Sequence, residues 1–329
     1  MKKTLICGIG NALVDSEYEV SEEEIQKLNL TKGCMELNDK DNHIKLLSRL
    51  TETHGAVKMM PGGSVANSLY SLSQFGAEVS FIGRVSDDTA GDAFIDSLKD
   101  TGVRVNINKV DNGITGECLV LITPDHERTM YTHLGVSSEI SVDDVNQAAI
   151  KDSEYLLVEG YLVTSEETKN VASHSLDIAT KHGVKKIITL SDPNVVKFFR
   201  DNMLDLLNKT FDIIFCNKQE ALNISMGNNI DDAIDFLKKY ADEIIITSGE
   251  DGAYVATGNE KVHESPDKVK PIDLTGAGDM FLAAYIFAKV NKKAISDRIK
   301  FANICSGNVI QSYGAKLDNQ DYSKLLERL

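Results

Sequence analysis

The 329-residue chain has no tryptophan, only five prolines and five cysteines, and no apolar run as long as a membrane span. Each scarcity removes a class. Cys7, Cys34, Cys118, Cys216 and Cys305 are odd in number, scattered and free of CxxC spacing, which argues against a disulfide framework and against a zinc site. In or beside strands such thiols behave as small hydrophobes. None of the seven histidines stands at metal-ligand spacing, and His126 reads as a turn residue. Positive charge is also short: 35 Lys and Arg against 50 Asp and Glu leave a net charge of −15. That excludes nucleic acid or an anionic membrane as a standing partner, although local amides and single basic side chains can still meet a small anion. Lys2-Lys3 leads almost at once into Leu5-Ile6-Cys7, too short for the apolar region of a signal peptide, so a cytoplasmic protein is expected. Internal repeats and low-complexity segments are missing as well.

What is present is ordinary globular material, 42% hydrophobic and 26% charged, in a chain long enough to bury a large core. From residue 141 onward strands alternate with helices: strands at Tyr155–Glu159, Lys186–Ser191, Phe211–Cys216 and Glu243–Thr247, with helices such as Glu166–His182 and Asp231–Tyr240 between them. That alternation predicts an α/β domain, a mainly parallel sheet covered on both faces. A first strand ends in Gly8-x-Gly10-Asn11, but Leu13 replaces the third glycine of a dinucleotide fingerprint. Ser21-Glu-Glu-Glu24 is a capping box at a solvated helix start. Strand-like pieces near 12–20, 34–38 and 117–133 break the alternation and predict a small separate sheet.

The stretch Pro271-Ile-Asp-Leu-Thr-Gly-Ala-Gly-Asp-Met-Phe281 places two glycines and Asp279 at the mouth of an apolar helix predicted over Met280–Val290. Unpaired N–H groups and the helix dipole make such a start an anion site. Asp279 has two readings there: an acidic residue in a first helical turn, or a base beside a phosphate cradle. Other polar residues fall repeatedly at the carboxyl ends of predicted strands, where open parallel sheets bind ligands. Asn11 and Asp15 follow the first strand, Asp192-Pro-Asn194 a middle one, Asn217-Lys-Gln-Glu220 the next, and Thr247-Ser-Gly249-Glu-Asp-Gly252 another. Singly, each is what most βα loops contain; their shared rim is the stronger signal.

Gly62-Gly63-x-x-x-Asn67 together with Asp273-Leu-Thr-Gly276-Ala-Gly-Asp279 resembles the two signatures of the PfkB/ribokinase carbohydrate kinases. Asn217-x-x-Glu220 looks like the family's NxxE element and Thr247-x-Gly249-x-x-Gly252 like its nucleotide loop, in the same order and across nearly the whole chain. Leu274 departs from the usual threonine. The resemblance implies a ribokinase-like three-layer α/β/α domain (1–11, 55–112 and 136–329) with a small β-sheet lid (about 12–54 and 113–135) on which His133 lies. It implies ATP and Mg²⁺ as cofactors. Asp279 would deprotonate a primary alcohol, the amides of Gly276, Ala277 and Gly278 would form the anion hole, and Arg128 would reach the phosphate from the lid. Asn194, Asn217, Thr247, Gly249, Gly252 and Asn303 would hold the nucleotide. Asn217 and Glu220 would organise Mg²⁺ through water, and Asp273, Thr275 and Gly314 could border K⁺.

Within that family, Gly8-x-Gly-Asn11-Ala-Leu-Val-Asp15 resembles the adenosine-kinase branch, where the Asn and Asp hold ribose hydroxyls. Gly62, Gly63, Asn67, Leu134 and Leu162 would complete the acceptor site. Gly160-Tyr161-Leu162 carries one aromatic where adenosine kinases tend to show two. The expectation is therefore transfer of the ATP γ-phosphate to the primary hydroxyl of a ribose-containing small molecule, foremost a nucleoside such as adenosine. A sugar kinase of the ribokinase or fructokinase kind is the first alternative, and a catalytically dead ligand-binding protein the second. A monomer and a homodimer are both compatible with a lid sheet.

Overall fold

The computed structural model describes residues 4–33, 35–55, 59–125 and 127–329. Cys34 and His126 lie outside them, and so do the readings made of those two residues. Fourteen strands are present among the described residues. In chain order they are β1 (Thr4–Ile9), β2 (Leu13–Glu19), β3 (Met35–Leu37), β4 (Met59–Gly62), β5 (Val79–Ser86), β6 (Arg104–Val110) and β7 (Gly116–Ile122). There follow β8 (Arg128–His133), β9 (Ser153–Glu159), β10 (Lys185–Thr189), β11 (Phe211–Asn217), β12 (Ala241–Thr247), β13 (Ala253–Thr257) and β14 (Glu260–Glu264).

Nine of them form one sheet in the order β14-β13-β12-β11-β10-β9-β1-β5-β6. From β12 to β6 every pairing is parallel, and the β13–β14 hairpin closes one edge antiparallel. The strands bury both faces, so they read as apolar runs such as Ile213-Ile214-Phe215 and Ile244-Ile245-Ile246 rather than as alternations. Alternate side chains sort to two cores. Ile6, Phe81, Ile187, Phe215 and Ile245 join one with the helices Ser64–Gln74, Ala277–Val290 and Ile295–Val309. Ile9, Ile82, Val158, Ile188, Ile214 and Ile246 join the other with Glu166–Lys181, Arg200–Leu207 and Lys218–Ser225. Between the sheet and its neighbouring helices, Ala277–Val290 is apolar nearly all round, as a helix wrapped on every side must be.

The expected small sheet exists, with five strands in the order β3-β8-β7-β2-β4. One correction concerns its boundary. Residues 59–62, assigned above to the large domain as part of a glycine motif, form its edge strand β4, paired antiparallel to β2 with Leu13 opposite Gly62. Pro61 and Gly62 disguise the strand, since both are poor strand formers and sit here only because the position is an edge. The edge strand β6 of the large sheet carried no readable signal either, because most of its residues are partly or fully exposed. On one face of the small sheet Tyr18, Leu119, Leu121 and Tyr131 pack with Ile25, Leu46 and Leu50 from the helices Glu22–Leu28 and Lys40–His54. The capping box at Ser21 and Glu24 is formed as expected. The other face, with Asp15, Cys118, Arg128, Met130 and Thr132, looks onto the large domain. No helix among the described residues is long and apolar enough to cross a membrane.

Candidate active site

Parallel register aligns the carboxyl ends of the large sheet: Glu159 pairs with Thr189, and Asn217 with Thr247. Above that rim and beneath the small sheet lies a cavity of about 460 Å³. Two helices begin at it on a glycine with no side-chain cap, Ser64–Gln74 after Gly63 and Ala277–Val290 after Gly276. Both glycines are demanded by the backbone. Gly63 has φ +88° and a Cβ there would stand 2.6 Å from the Asn11 carbonyl oxygen; Gly276 has φ +73° and its Cβ would stand 2.6 Å from Ala315 Cα. Without a capping side chain the first-turn amides stay open: Ala277 N–H makes only a 3.3 Å turn bond to the Leu274 carbonyl. The N–H groups of Gly276 and Gly278 have no partner among the described residues.

Asp279 projects into the cavity between these two helix starts. Ser64 Oγ donates to its Oδ1 at 2.6 Å and Asn67 Nδ2 to its Oδ2 at 3.0 Å. Enclosure pushes the carboxyl up to about 6, against the opposing pull of the Ser64 and Asn67 hydrogen bonds and of Lys316. Asn67 therefore touches the carboxylate rather than the cavity, and Ser64, which the sequence reading passed over, is on the wall. Lys316 was also missed. It is held by the Pro61 carbonyl at 2.5 Å and by the Tyr70 ring face, with Nζ 4.7 Å from the centroid. Burial lowers it to about 8 although Asp15 and Asp279 pull it up.

On the β1–β2 side, Asn11, Asp15, Gly63 and Leu134 line the cavity together with Met35, Met130 and Tyr161. Gly62 lies directly against the Asp15 carboxylate, leaving no room for a side chain. Burial raises Asp15 to about 7. Asn11 is tied to Glu159 Oε1 at 3.4 Å, and Glu159, wholly enclosed, is raised by that burial to about 8. Leu162 does not reach the cavity: it is buried in the core with the helix Glu166–Lys181, and its neighbour Tyr161 takes the wall position.

On the other side, Asp192, Asn217, Glu220 and Thr247 line the wall. Asn217 and Glu220 form a reciprocal capping box, with Asn217 Nδ2 donating to Glu220 Oε1 at 2.6 Å and Glu220 N–H to Asn217 Oδ1 at 2.9 Å. That box gives Glu220 a structural role at the helix start, and burial raises its carboxyl to about 8. Gly249 and Gly252 bound the turn just beyond Thr247, both with positive φ, outside the cavity wall. Asn194 is turned away from it, while Asp192 and Pro193 border it. Asn303 is nearly buried and donates to the Glu264 carbonyl at 3.0 Å, tying a helix to β14.

Asp273 is buried, accepting from Thr275 N–H at 2.8 Å and from Gly314 N–H at 2.6 Å. Arg128 of β8 places Nε 2.9 Å from Asp273 Oδ1 and donates through Nη2 to Glu17 of β2 at 2.6 Å. The Nε contact is an ion pair without hydrogen-bond geometry, Nη1 is buried with no partner among the described residues, and the residue borders the cavity. Leu274 is 67% exposed at the cavity mouth, so its departure from threonine leaves the amide cradle intact.

The description pfkB family carbohydrate kinase matches residues 34–321. The ribokinase of Staphylococcus aureus is 28% identical over 79% of this chain and 85% of its own length. Adenosine kinase 2 of Arabidopsis thaliana is 27% identical over 94% of each chain. Among solved structures, the adenosine kinase of Sinorhizobium meliloti superposes with a TM-score of 0.91 at 28% identity, covering 99% of this chain and all of the other. The chain belongs to the pfkB family of carbohydrate kinases, phosphotransferases that act on sugar or nucleoside hydroxyls.

Proposed function

We propose that the protein transfers the γ-phosphate of ATP to the primary, 5′-type hydroxyl of a ribose-containing small molecule, a nucleoside such as adenosine first among them. The observation that carries this reading is Asp279, a carboxylate raised to about 6 and held by Ser64 and Asn67 at an uncapped helix start, on one cavity wall with Asn11 and Asp15. Asn11 and Asp15 hold the vicinal hydroxyls, which leaves the primary hydroxyl facing Asp279. Gly63 lets the acceptor lie close to the backbone, Gly62 makes room for the Asp15 carboxylate, and Leu134 with Tyr161, Met35 and Met130 forms an apolar slot for a planar base.

Asp279 takes the hydroxyl proton as the oxygen bonds to the γ-phosphorus, the bond to the bridging oxygen breaks, and ADP leaves with that electron pair. The amides of Gly276, Ala277 and Gly278 meet the charge that develops on the transferred group, and the Arg128 guanidinium adds positive charge beside the cavity. Asn217 and Thr247 flank the triphosphate, with Gly249 and Gly252 shaping the loop beyond. Asn194 and Asn303 support that region from behind the wall. The oxygen-rich set Asp192, Asn217 and Glu220 suits Mg²⁺, and among the described residues no three acidic, histidine or cysteine side chains are arranged to grip a bare ion. Mg²⁺ keeps most of its waters and would supply charge neutralisation at the phosphates. A monovalent cation near Asp273, Thr275 and Gly314, which the resemblance implies, has a competitor in Arg128.

The small sheet acts as a lid that excludes water, the competing acceptor. The setting we propose is the cytoplasm, which supplies ATP and keeps the thiols of Cys7, Cys118, Cys216 and Cys305 reduced. The identity to Arabidopsis adenosine kinase 2 along 94% of the chain supports a nucleoside. A free sugar is the second reading, favoured by the single aromatic Tyr161 on the acceptor wall and by the staphylococcal ribokinase relative. Measuring ADP release with adenosine, other nucleosides, ribose and fructose decides between them. Turnover of fructose or ribose but not of any nucleoside would sink the first reading.

A further inference from the structure

Asp273 begins the phosphate-binding motif, and both oxygens of its carboxylate have partners. Oδ1 takes the Thr275 N–H and faces Arg128 Nε at 2.9 Å; Oδ2 takes the Gly314 N–H at 2.6 Å. A potassium ion is bound by oxygen acceptors. Here the Thr275 and Gly314 N–H groups point at that carboxylate, and the positive charge beside it is a guanidinium. A second cation at the same buried oxygen would meet repulsion from Arg128 across a few ångströms of weakly screening protein. The residues named for K⁺ therefore do not fit it while Arg128 is in place.

We propose that Arg128 does the work of the monovalent cation: it neutralises Asp273 and so holds the loop Asp273–Gly276 in its phosphate-ready shape, making the enzyme independent of K⁺. The inference rests on the kinase reading above. Arg128 belongs to the small sheet, where Glu17 anchors its other edge at 2.6 Å. Asp273 belongs to the large domain. The guanidinium is thus a bolt between a carboxylate on the small sheet and one on a loop of the large domain, and the loop receives this positive charge from the small sheet. Burial of both partners keeps the pair out of reach of bulk salt: Arg128 is 9% exposed and the Asp273 side chain 1%. Planar, forked and always charged, arginine can serve both carboxylates at once.

The test compares KCl, NaCl and choline chloride at one ionic strength, reading both turnover and thermal midpoint. For the unaltered protein the expected result is the same turnover, within twofold, and the same midpoint in all three. A threefold or larger activation by KCl, or a midpoint raised by KCl alone, would overturn the proposal. If no acceptor is turned over in any salt, the kinase reading has failed, and the midpoints still decide the cation question separately. Arg128→Gln should lose most turnover and become cation-sensitive, with KCl and not choline chloride raising its midpoint; insensitivity to all three salts would count against the exchange of roles. Should Arg128→Gln not fold, Glu17→Gln keeps the arginine and loosens it. That variant should show KCl stimulation of at least twofold, and a flat response would again refute the idea.

Discussion

Replacing Asp279 with asparagine should make the protein more stable while abolishing its activity. The carboxyl's rise from 3.8 to about 6 means that the fold disfavours its charge, chiefly by desolvation. Two pKa units correspond to about 3 kcal/mol; because Asp279 is only partly buried, we discount this to about 1–2 kcal/mol. Asparagine keeps the shape and removes the charge. Ser64 can still donate to its side-chain oxygen, and Asn67, whose Oδ1 has no partner, can flip its amide to accept from the new NH₂. In a chain of this size about 1–2 kcal/mol is a gain of roughly 2 °C in melting temperature. The sign with pH follows from the direction of the shift. A raised carboxyl pKa costs stability only where the native group is ionised, so the gain should be full at pH 8 and vanish as pH falls through about 6 toward 4. Differential scanning calorimetry of both proteins at pH 8 and pH 5, beside a turnover assay, reads all three effects. Turnover should fall by at least ~10³-fold, as for loss of a group acting in the transition state. A variant less stable than the parent at pH 8, or one retaining a tenth of its activity, would refute the reasoning.

Ser64→Ala removes a hydrogen bond to the ionised form of Asp279, so the acidic limb of the kcat/KM profile should move above about 6 and activity at pH 7 should fall roughly tenfold; an unmoved limb would show that Ser64 does not set this pKa. Lys316→Met should raise the same limb by removing a buried positive charge that both Asp15 and Asp279 feel, with activity recovering as pH is raised; a loss that is equal at every pH would point to packing against Tyr70 instead. Gly63→Ala places a methyl 2.6 Å from the Asn11 carbonyl at φ +88°, and urea titration should show a loss of roughly 2 kcal/mol or more; near-native stability would mean the turn is not fixed.

The large sheet was legible because its strands are buried on both faces and its helices are periodic, so Phe211–Asn217 and Glu166–Lys181 announce themselves locally. The rim residues were legible because βα loops collect Asn, Asp and Gly. Three features resisted for one physical reason: their environments are assembled from distant segments. β4 is a strand only because β2 lies beside it. Tyr161 faces the cavity and Leu162 the core because a short helical turn at Gly160–Thr164 rotates one residue inward and its neighbour outward, a choice no periodicity of two or 3.6 encodes. Lys316 reads as one lysine among many until the chain brings Pro61, Tyr70, Asp15 and Asp279 around it. Ser64 was the nearest miss, since it directly follows the glycine pair and any residue there begins the helix that faces Asp279.

The cavity gathers several carboxyl groups, and the choice of Asp279 as base follows from how their surroundings differ. Burial raises Glu159 and Glu220 to about 8 and Asp15 to about 7, while Asp279 stands at about 6. Burial therefore holds Glu159, Glu220 and Asp15 further toward the protonated form than Asp279. Asp279, Glu220 and Glu159 all receive hydrogen-bond donors, but Asp279 also feels Lys316, whereas Glu220 is flanked by Asp192 and Asp279, and Glu159 by Asp279, like charges that oppose ionisation. Environments that push neighbouring carboxyls apart assign acid and base among them. They also solve the difficulty posed by a chain of net charge −15 that must admit a triphosphate. An arriving anion meets open amides at the two helix starts and a guanidinium beside the cavity, with the Asp279 carboxylate placed where a proton has to go.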